Sequence, residues 1–336
     1  MEQRIKERFS KSILDQARTA YGIKPEDIQE LGGFESYIYE FRRDEEKGIL
    51  RIAHSIRRSP DQIRGELDWI NYLKQGGASV AGALISQNDK WVEEIGDGGE
   101  GYFLANAFEK AVGKERRGEW TDAQLFEYGR LIGLMHKLTT TYQPANPNWK
   151  RPEWDNPVHL DVEQFIPEDD QKIKQIYRDV VKRTQALPKG TANYGLIHQD
   201  AHQGNFFIDD TGKITLFDFD DSSYSWFVED IALVLFYVVM GQEDPATFTN
   251  KFLSGFLPGY FSEYDLEGKW FQEVPLFMKR RELDLYAVIH RSFDVENLDD
   301  PWCNWYLDGR KERLEKELPY LDFDFDHLDI QKFSSK

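Results

Sequence analysis

Three short apolar segments, Leu196–His198, Asn205–Ile208 and Ile214–Phe219, crowd together late in the chain, with polar side chains at their ends. Asp209-Asp210-Thr211-Gly212 spells a turn between the last two, which therefore read as a β-hairpin. A hairpin entered through Asn205 and left through Asp218 brings both side chains to one end. An amide oxygen and a carboxylate converging there make a hard, oxygen-only site that suits Mg2+. Asp200 lies on the loop just ahead, where a second carboxylate can act on a substrate hydroxyl. Asp220 and Asp221 follow almost at once. Carboxylates this close are costly unless cations neutralise them, so Asp220 joins Asn205 and Asp218 as a candidate metal ligand. His198 alone reads equally well as a hydrogen-bonded core histidine. The whole pattern, His198-x-Asp200 with Asn205 and then Asp218, is far more demanding. One carboxylate that orients a hydroxyl, with an Asn and an Asp that hold metal on a nucleotide, is the division of labour of phosphoryl transfer.

The rest of the chain changes character once. Residues 3–20 have the spacing of an amphipathic helix. Asp27–Phe34, Tyr37–Phe41 and Gly48–Ala53 follow as β-type segments. Gly32-Gly33 separates the first two and a charged turn at residues 44–48 the next pair, which predicts an antiparallel meander. Ser59, Pro60 and Gln62 then form a capping box with proline at the first helical position, and Gly76-Gly77 ends that helix. Trp91–Ile95 and Gly101–Phe108 read as two further strands. Beyond them a second capping box, Thr121 with Gln124, opens a helix carrying Leu125, Tyr128, Leu131, Met135 and Leu138. Residues 140–160 read as a long loop, residues 169–186 as a helix, and the chain after Tyr224 as mostly helical. The expected fold is α+β and two-lobed. Residues 1–108 form a small β-rich lobe and residues 109–336 a larger, mostly helical one, with a nucleotide cleft near Phe108–Gly113.

Charge narrows the partners. The 336 residues carry 42 Lys+Arg against 60 Asp+Glu, a net −18. This argues against binding nucleic acid or an anionic membrane, both of which need clustered positive charge. Cys303 is the single cysteine, which excludes an internal disulfide and a Cys-based zinc site and fits a reducing cytosol. The N-terminal stretch is charged and lacks the apolar core of a signal peptide. The longest apolar run, Ile231–Met240, falls far short of the roughly 20 residues that span a bilayer. A cytoplasmic protein is expected; the sequence does not give its oligomeric state.

HQDAHQGNFFI, which begins at His198, resembles the HGDLHPGN segment of the aminoglycoside phosphotransferase and choline kinase superfamily. LFDFDD, with Asp218, resembles that superfamily's metal-binding I-D-[FW] segment. Gln199, Ala201 and Gln203 stand where Gly, Leu and Pro are usual, and none of them carries chemistry. GRLIGLMHKL, VEDIALVL with Asp230, and LGGFESYIYEF followed by ILRIA extend the resemblance from about Leu31 to Leu235. It implies a protein-kinase-like fold in which a γ-phosphoryl group passes from ATP or GTP to a hydroxyl, with Mg2+. It further implies that Asp200 orients the hydroxyl, Asn205 and Asp218 bind metal, and Asp230 and His198 position the loop.

A protein kinase pairs a lysine on its third strand with a helix glutamate. Here Arg51 occupies that strand position, and Glu66, one turn into the capped helix, is its expected partner. Arg forks onto phosphate and keeps its charge. Gly32 and Gly33 are the candidate phosphate loop. The linker strand Phe103–Glu109, with Phe108 and Glu109 at its end, is expected to give its backbone to an adenine edge.

Other readings remain open at this point. His198-x-Asp200-x-His202 has zinc-hydrolase spacing, but no third histidine follows nearby. ITLFDFDDSS resembles the first motif of haloacid dehalogenase-like phosphatases, with Asp218 as nucleophile and Asp220 as general acid. That fold needs alternating strands and helices after the motif. A non-enzymatic member of the kinase-like fold and a Ser/Thr protein kinase are further alternatives. The C-terminal helices mix Trp270, Trp302, Trp305 and Tyr306 with Asp294, Glu296, Asp299 and Asp300, which suits a cationic amine. The expected acceptor is a small hydroxylated molecule carrying an amino group, with homoserine-like or choline-like molecules ranked above aminoglycosides.

Overall fold

A computed structural model describes residues 3–33, 35–116 and 118–333. In chain order the elements are α1 (Gln3–Lys6), α2 (Lys11–Ala20), β1 (Ile28–Glu30), β2 (Tyr37–Arg43), β3 (Glu46–His54), α3 (Pro60–Gln75), β4 (Ala83–Leu84), β5 (Glu93–Ile95) and β6 (Phe103–Glu109). Then come α4 (Asp122–Thr139), α5 (Pro157–Leu160), α6 (Gln171–Gln185), β7 (Tyr194–Ile197), β8 (Phe206–Ile208), β9 (Ile214–Leu216) and β10 (Ser223–Trp226). The chain closes with α7 (Phe227–Val238), α8 (Pro245–Glu263), α9 (Val274–Ser292), α10 (Pro301–Leu307) and α11 (Arg310–Glu315). Among the described residues no helix is long and apolar enough to cross a membrane.

The chain forms two compact units, and neither is a single stretch. The first takes residues 1–117, 141–151 and 205–220; the second takes 118–140, 152–204 and 221–336. The first unit is built on an antiparallel sheet of order β1-β2-β3-β6-β4, with β5 also on β6. Asp44, at φ 55°, turns β2 tightly into β3, so that Arg43 faces Glu46. One face of the sheet buries Phe41, Leu50, Ile52, Phe103 and Ala105 with Ile13 and Ala17 of α2 and with Tyr21 just past its end. The capping box of α3 is complete: the Ser59 hydroxyl accepts from the Gln62 N–H at 3.2 Å, and Gln62 Oε1 accepts from the Ser59 N–H at 2.8 Å.

The β8–β9 hairpin also belongs to this unit. Phe206 pairs with Leu216, and Leu216 exchanges backbone bonds with Ser79 and Ala81 at 2.9 Å. The strand leading to Asp218 thus lies in an antiparallel hairpin, not in a central parallel sheet. This overturns the phosphatase alternative, whose nucleophile needs the end of a parallel strand.

Several local expectations shift. The single helix expected over residues 3–20 is broken at residues 7–10. Ser10 takes an extended conformation, Phe9 stacks on Tyr37 at 3.6 Å, and Arg8 pairs with Asp97. Those contacts pull the intervening turn out of the helix. β1 is shorter than the expected strand Asp27–Phe34, because Pro25–Asp27 forms a 3-10 turn; Phe34 lies outside the described residues. β4 is too short to show any alternation in sequence.

In the second unit α7 is buried almost all round, leaving only Tyr237 less covered. A second cluster packs Ile173, Ile176 and Tyr177 of α6 against Leu283, Tyr286 and Ala287 of α9. α4 and α8 approach closely through glycines. A Cβ on Gly129 would lie 1.8 Å from the Phe256 carbonyl oxygen, and one on Gly259 would lie 1.9 Å from that of Phe126. Backbone cannot yield as a flexible side chain would. Gly129→Ala or Gly259→Ala is therefore expected to cost about 2–3 kcal/mol by overpacking. Urea unfolding reads this directly, and an unchanged midpoint would contradict the close approach.

Candidate active site

In the first unit the β3–β6 ladder sets Arg51 opposite Asn106, and Arg51 Nε donates to Asn106 Oδ1 at 3.2 Å. Its Nη1 and Nη2 donate to Glu66 Oε1 and Oε2 at 2.9 and 2.6 Å, a forked pair with Glu66 wholly buried. The guanidinium sits 5.0 Å from the centre of the Phe108 ring. Burial acts against its charge, but Glu66 and Asp220 outweigh that and hold its pKa above the ordinary value.

Asp220 departs from the expectation of a metal ligand. Arg57 Nη2 lies 2.5 Å from its Oδ2, Arg58 Nη2 3.4 Å from the same oxygen, and Arg51 Nη1 3.8 Å from Oδ1. Arg151 donates to the Asp220 carbonyl at 2.5 Å and to the Gln62 carbonyl at 2.8 Å. Burial would raise the Asp220 carboxyl, yet the surrounding guanidinium groups hold it far below the usual range. A cation would have to displace groups that already neutralise it. Sequence reasoning missed Arg57, Arg58 and Arg151; the adjacent Arg57-Arg58 after β3 was the visible signal.

Gly32 takes φ 81°, and a Cβ on Gly33 would lie 2.1 Å from the Ser36 carbonyl oxygen. Only glycine fits that turn. Glu35, in the same loop, lies 3.4 Å from Arg57, so Arg57 joins the loop to Asp220. Phe108 and Glu109 do not present a free backbone edge. β6 has β3 on one side and β4 and β5 on the other, and the Glu109 N–H donates to the Gly82 carbonyl at 2.8 Å.

Asn205 and Asp218 bracket the hairpin. The Phe217 N–H donates to the Asn205 carbonyl at 2.8 Å, which brings the two ends of the hairpin together. Asp218 takes φ 64°, the left-handed region that non-glycine residues enter at a cost and that recurs at functional sites. Their donors are oxygens only. Among the described residues no three His, Cys, Asp or Glu side chains form a ready metal cluster. An Asn–Asp pair fits a hard cation that takes its remaining oxygens from a ligand or water.

In the second unit the loop after β7 hangs on Asp230 of α7. The Asp230 carboxylate accepts the His198 N–H at 3.0 Å and the Gln199 N–H at 2.8 Å, and lies 3.3 Å from His136 Nε2. His136 Nδ1 meets the Tyr260 hydroxyl at 2.9 Å. Gln199 takes φ 71°, a conformation suited to the glycine common in similar segments. Its amide holds on by donating to the Ser223 hydroxyl at 2.7 Å. His198 is buried, and its Nδ1 accepts the Asp200 N–H at 3.2 Å. The Tyr128 hydroxyl donates to the Ala201 carbonyl. Asp200 itself meets Arg281 Nη2 at 2.6 Å through Oδ1 and His202 Nε2 at 3.3 Å through Oδ2. Arg281 and Tyr237 carried no signal that sequence reasoning could use, because each reads as an ordinary helix residue.

The aromatics near the C-terminus divide. Trp270 and Tyr306 are core, whereas Trp302 and Trp305 are 42% and 49% exposed. Trp154 is buried with the Arg280 guanidinium 4.7 Å from its ring.

Asp230→Ala strips two backbone N–H groups and a histidine of their acceptor, and is expected to lower stability by about 3 kcal/mol. Denaturant unfolding measures the loss. A change under about 0.5 kcal/mol would mean that the loop does not depend on Asp230.

The model of the phosphotransferase enzyme family matches residues 27–266. The chain is 39% identical over 321 residues to amicoumacin kinase of Bacillus subtilis (strain 168), covering 94% of this chain and 95% of that protein. Its structure is similar, at a TM-score of 0.92 and 36% identity, to that of amicoumacin kinase hAmiN in complex with AMP-PNP, Ca2+ and Ami, covering 98% of this chain and 100% of that one. A microcompartment-associated aminopropanol kinase, 20% identical at a TM-score of 0.72 over 92% of this chain and 98% of that one, shares the fold.

Proposed function

The chain belongs to the phosphotransferase enzyme family, and from that premise we propose that it moves the γ-phosphoryl group of ATP or GTP onto a hydroxyl of amicoumacin or a closely similar small molecule. The observation that carries this reading is the 39% identity to an amicoumacin kinase along nearly the whole of both chains. The homoserine-like and choline-like acceptors expected from the motifs rank below it, and an amino group on the acceptor remains part of the proposal. A protein acceptor ranks lower still, since no feature described above favours it.

The geometry supports these roles. Asp200 accepts a hydrogen bond from the acceptor hydroxyl and aims its oxygen at phosphorus. Asn205 and Asp218 hold a divalent cation on the nucleotide, Mg2+ being the one their oxygen donors suit. Bound there, the cation offsets charge on the phosphates. Arg51, kept straight by the Glu66 fork, reaches the phosphates, with Asp220 as the counter-ion of the arginines around it. The Gly32-Gly33 turn lets backbone approach a phosphate closely. Since the backbone of Phe108 and Glu109 is taken by neighbouring segments and the Lys110 N–H donates to the Lys47 carbonyl at 3.2 Å, residues 111–113 read the base edge. His198 and Asp230 hold the loop that carries Asp200. In the balanced reaction the acceptor oxygen bonds to the γ-phosphorus and the bond to the β,γ-bridging oxygen breaks. Its electron pair leaves with the nucleoside diphosphate, and the hydroxyl proton passes to water.

Purified protein with Mg-ATP or Mg-GTP is expected to add one phosphoryl group to amicoumacin, read by mass spectrometry. Homoserine, choline, aminosugars and a generic protein substrate serve as competitors. Turnover confined to one of those would overturn the acceptor assignment. Asp200→Asn should lower kcat by about 100-fold or more while nucleotide affinity stays within about twofold. Asp218→Ala should also abolish the rise in Tm that Mg-nucleotide gives the wild type by binding the folded state.

A further inference from the structure

Asp200 is held from two sides. Its Oδ1 accepts from Arg281 Nη2 at 2.6 Å, and its Oδ2 lies 3.3 Å from His202 Nε2. The Gly204 N–H donates to His202 Nδ1 at 2.9 Å, so Nδ1 is the acceptor and the ring proton sits on Nε2, facing Asp200. Arg281 is held in turn. Its Nε donates to the Tyr237 hydroxyl at 3.0 Å, Nη2 donates to the same oxygen, and the guanidinium lies 5.3 Å from the centre of the Tyr237 ring. The titratable groups acting on this cluster are His198 and His202 from the loop and Tyr128 from α4. Tyr237 acts from α7, Arg281 and Asp284 from α9, and Asp221 from the chain after β9. Burial alone would raise the Asp200 carboxyl. The Arg281 charge and the His202 hydrogen bond outweigh burial and hold it well below the usual carboxylate range.

We propose that Arg281 is a positioning residue of the phosphoryl transfer: it pins the Asp200 carboxylate through Oδ1 in the orientation that receives the acceptor hydroxyl, with Tyr237 fixing Arg281. The inference rests on the role given to Asp200 above. A carboxylate stabilised by a fixed guanidinium is a poor resting place for a proton. Asp200 therefore aims the hydroxyl and does not store its proton. Lysine at residue 281 keeps the charge but not the fork that reaches Asp200 and Tyr237 together.

Arg281→Met, Arg281→Lys, Tyr237→Phe and Asp200→Asn, each in the full chain, test this with the best acceptor from the screen above. Arg281→Met is expected to lower kcat by about 100-fold, the scale of a misplaced reacting group, with the nucleotide KM within about twofold. The sign of the pH effect is fixed by the depressed carboxyl. Removing the guanidinium lets Asp200 protonate at higher pH, so the acid limb of the kcat profile moves upward by about one unit or more. Arg281→Lys keeps the limb low while losing part of the rate, and Tyr237→Phe gives a smaller fall and a smaller upward move. The 13C titration of the Asp200 carboxyl, assigned by its loss in Asp200→Asn, reads the same rise in Arg281→Met without any substrate.

Folded Arg281→Met with an unmoved carboxyl titration, or with wild-type kcat, would overturn the proposal. If Arg281→Met does not fold, an unchanged rate and profile in Tyr237→Phe would overturn it as well. An Asp200→Asn enzyme at full rate would instead remove the role of Asp200 itself, which separates the two failures.

Discussion

A carboxylate withdrawn from water has to be satisfied by protein, and in the second unit the Asp230 carboxylate is satisfied by the loop that carries Asp200. The two backbone N–H groups at His198 and Gln199 donate to it, and Asp230 has no solvent to fall back on. Loop and helix are thus locked by mutual need. The strain of Gln199 in the left-handed region is tolerated because its own N–H is one of the two that Asp230 requires. His136 and Tyr260 extend the same network, tying α4 and α8 to the loop through one buried chain of polar contacts.

The first unit solves the same problem with the opposite sign. Arg51, Arg57, Arg58 and Arg151 lie around one short segment, and Glu66, Glu35 and Asp220 answer them. Breaking one partner of such a set leaves a buried charge uncompensated, which costs far more than the pair contributes. Asp220 is therefore committed to arginine. Asp218, two residues earlier, takes a left-handed backbone conformation.

Much of this was legible in the sequence because it is local. Both capping boxes stand where Ser59 and Thr121 put them, since a cap depends only on residues three apart. The β8–β9 hairpin follows from its turn residues. Its antiparallel pairing, which decides against the phosphatase fold, follows from the same turn. The break between α1 and α2 was not legible, because it depends on Tyr37 and Asp97, far along the chain. Sequence suggested that the linker strand would offer its backbone, but not that β4, a strand of two residues, would cover it.

The sequence by itself determined the kinase-like family, the Asp200, Asn205 and Asp218 pattern, and the partnership of Arg51 with a helix glutamate. Each of these is written in short-range spacing or in one strand followed by one helix. Only the tertiary structure decided what surrounds those groups. Asp200 meets Arg281 across 81 residues of chain, and Asp220 meets Arg58 across 162. An arginine in a helix or after a strand carries no mark of its partner, because charge pairing is set by where burial brings side chains together and not by any period in the sequence.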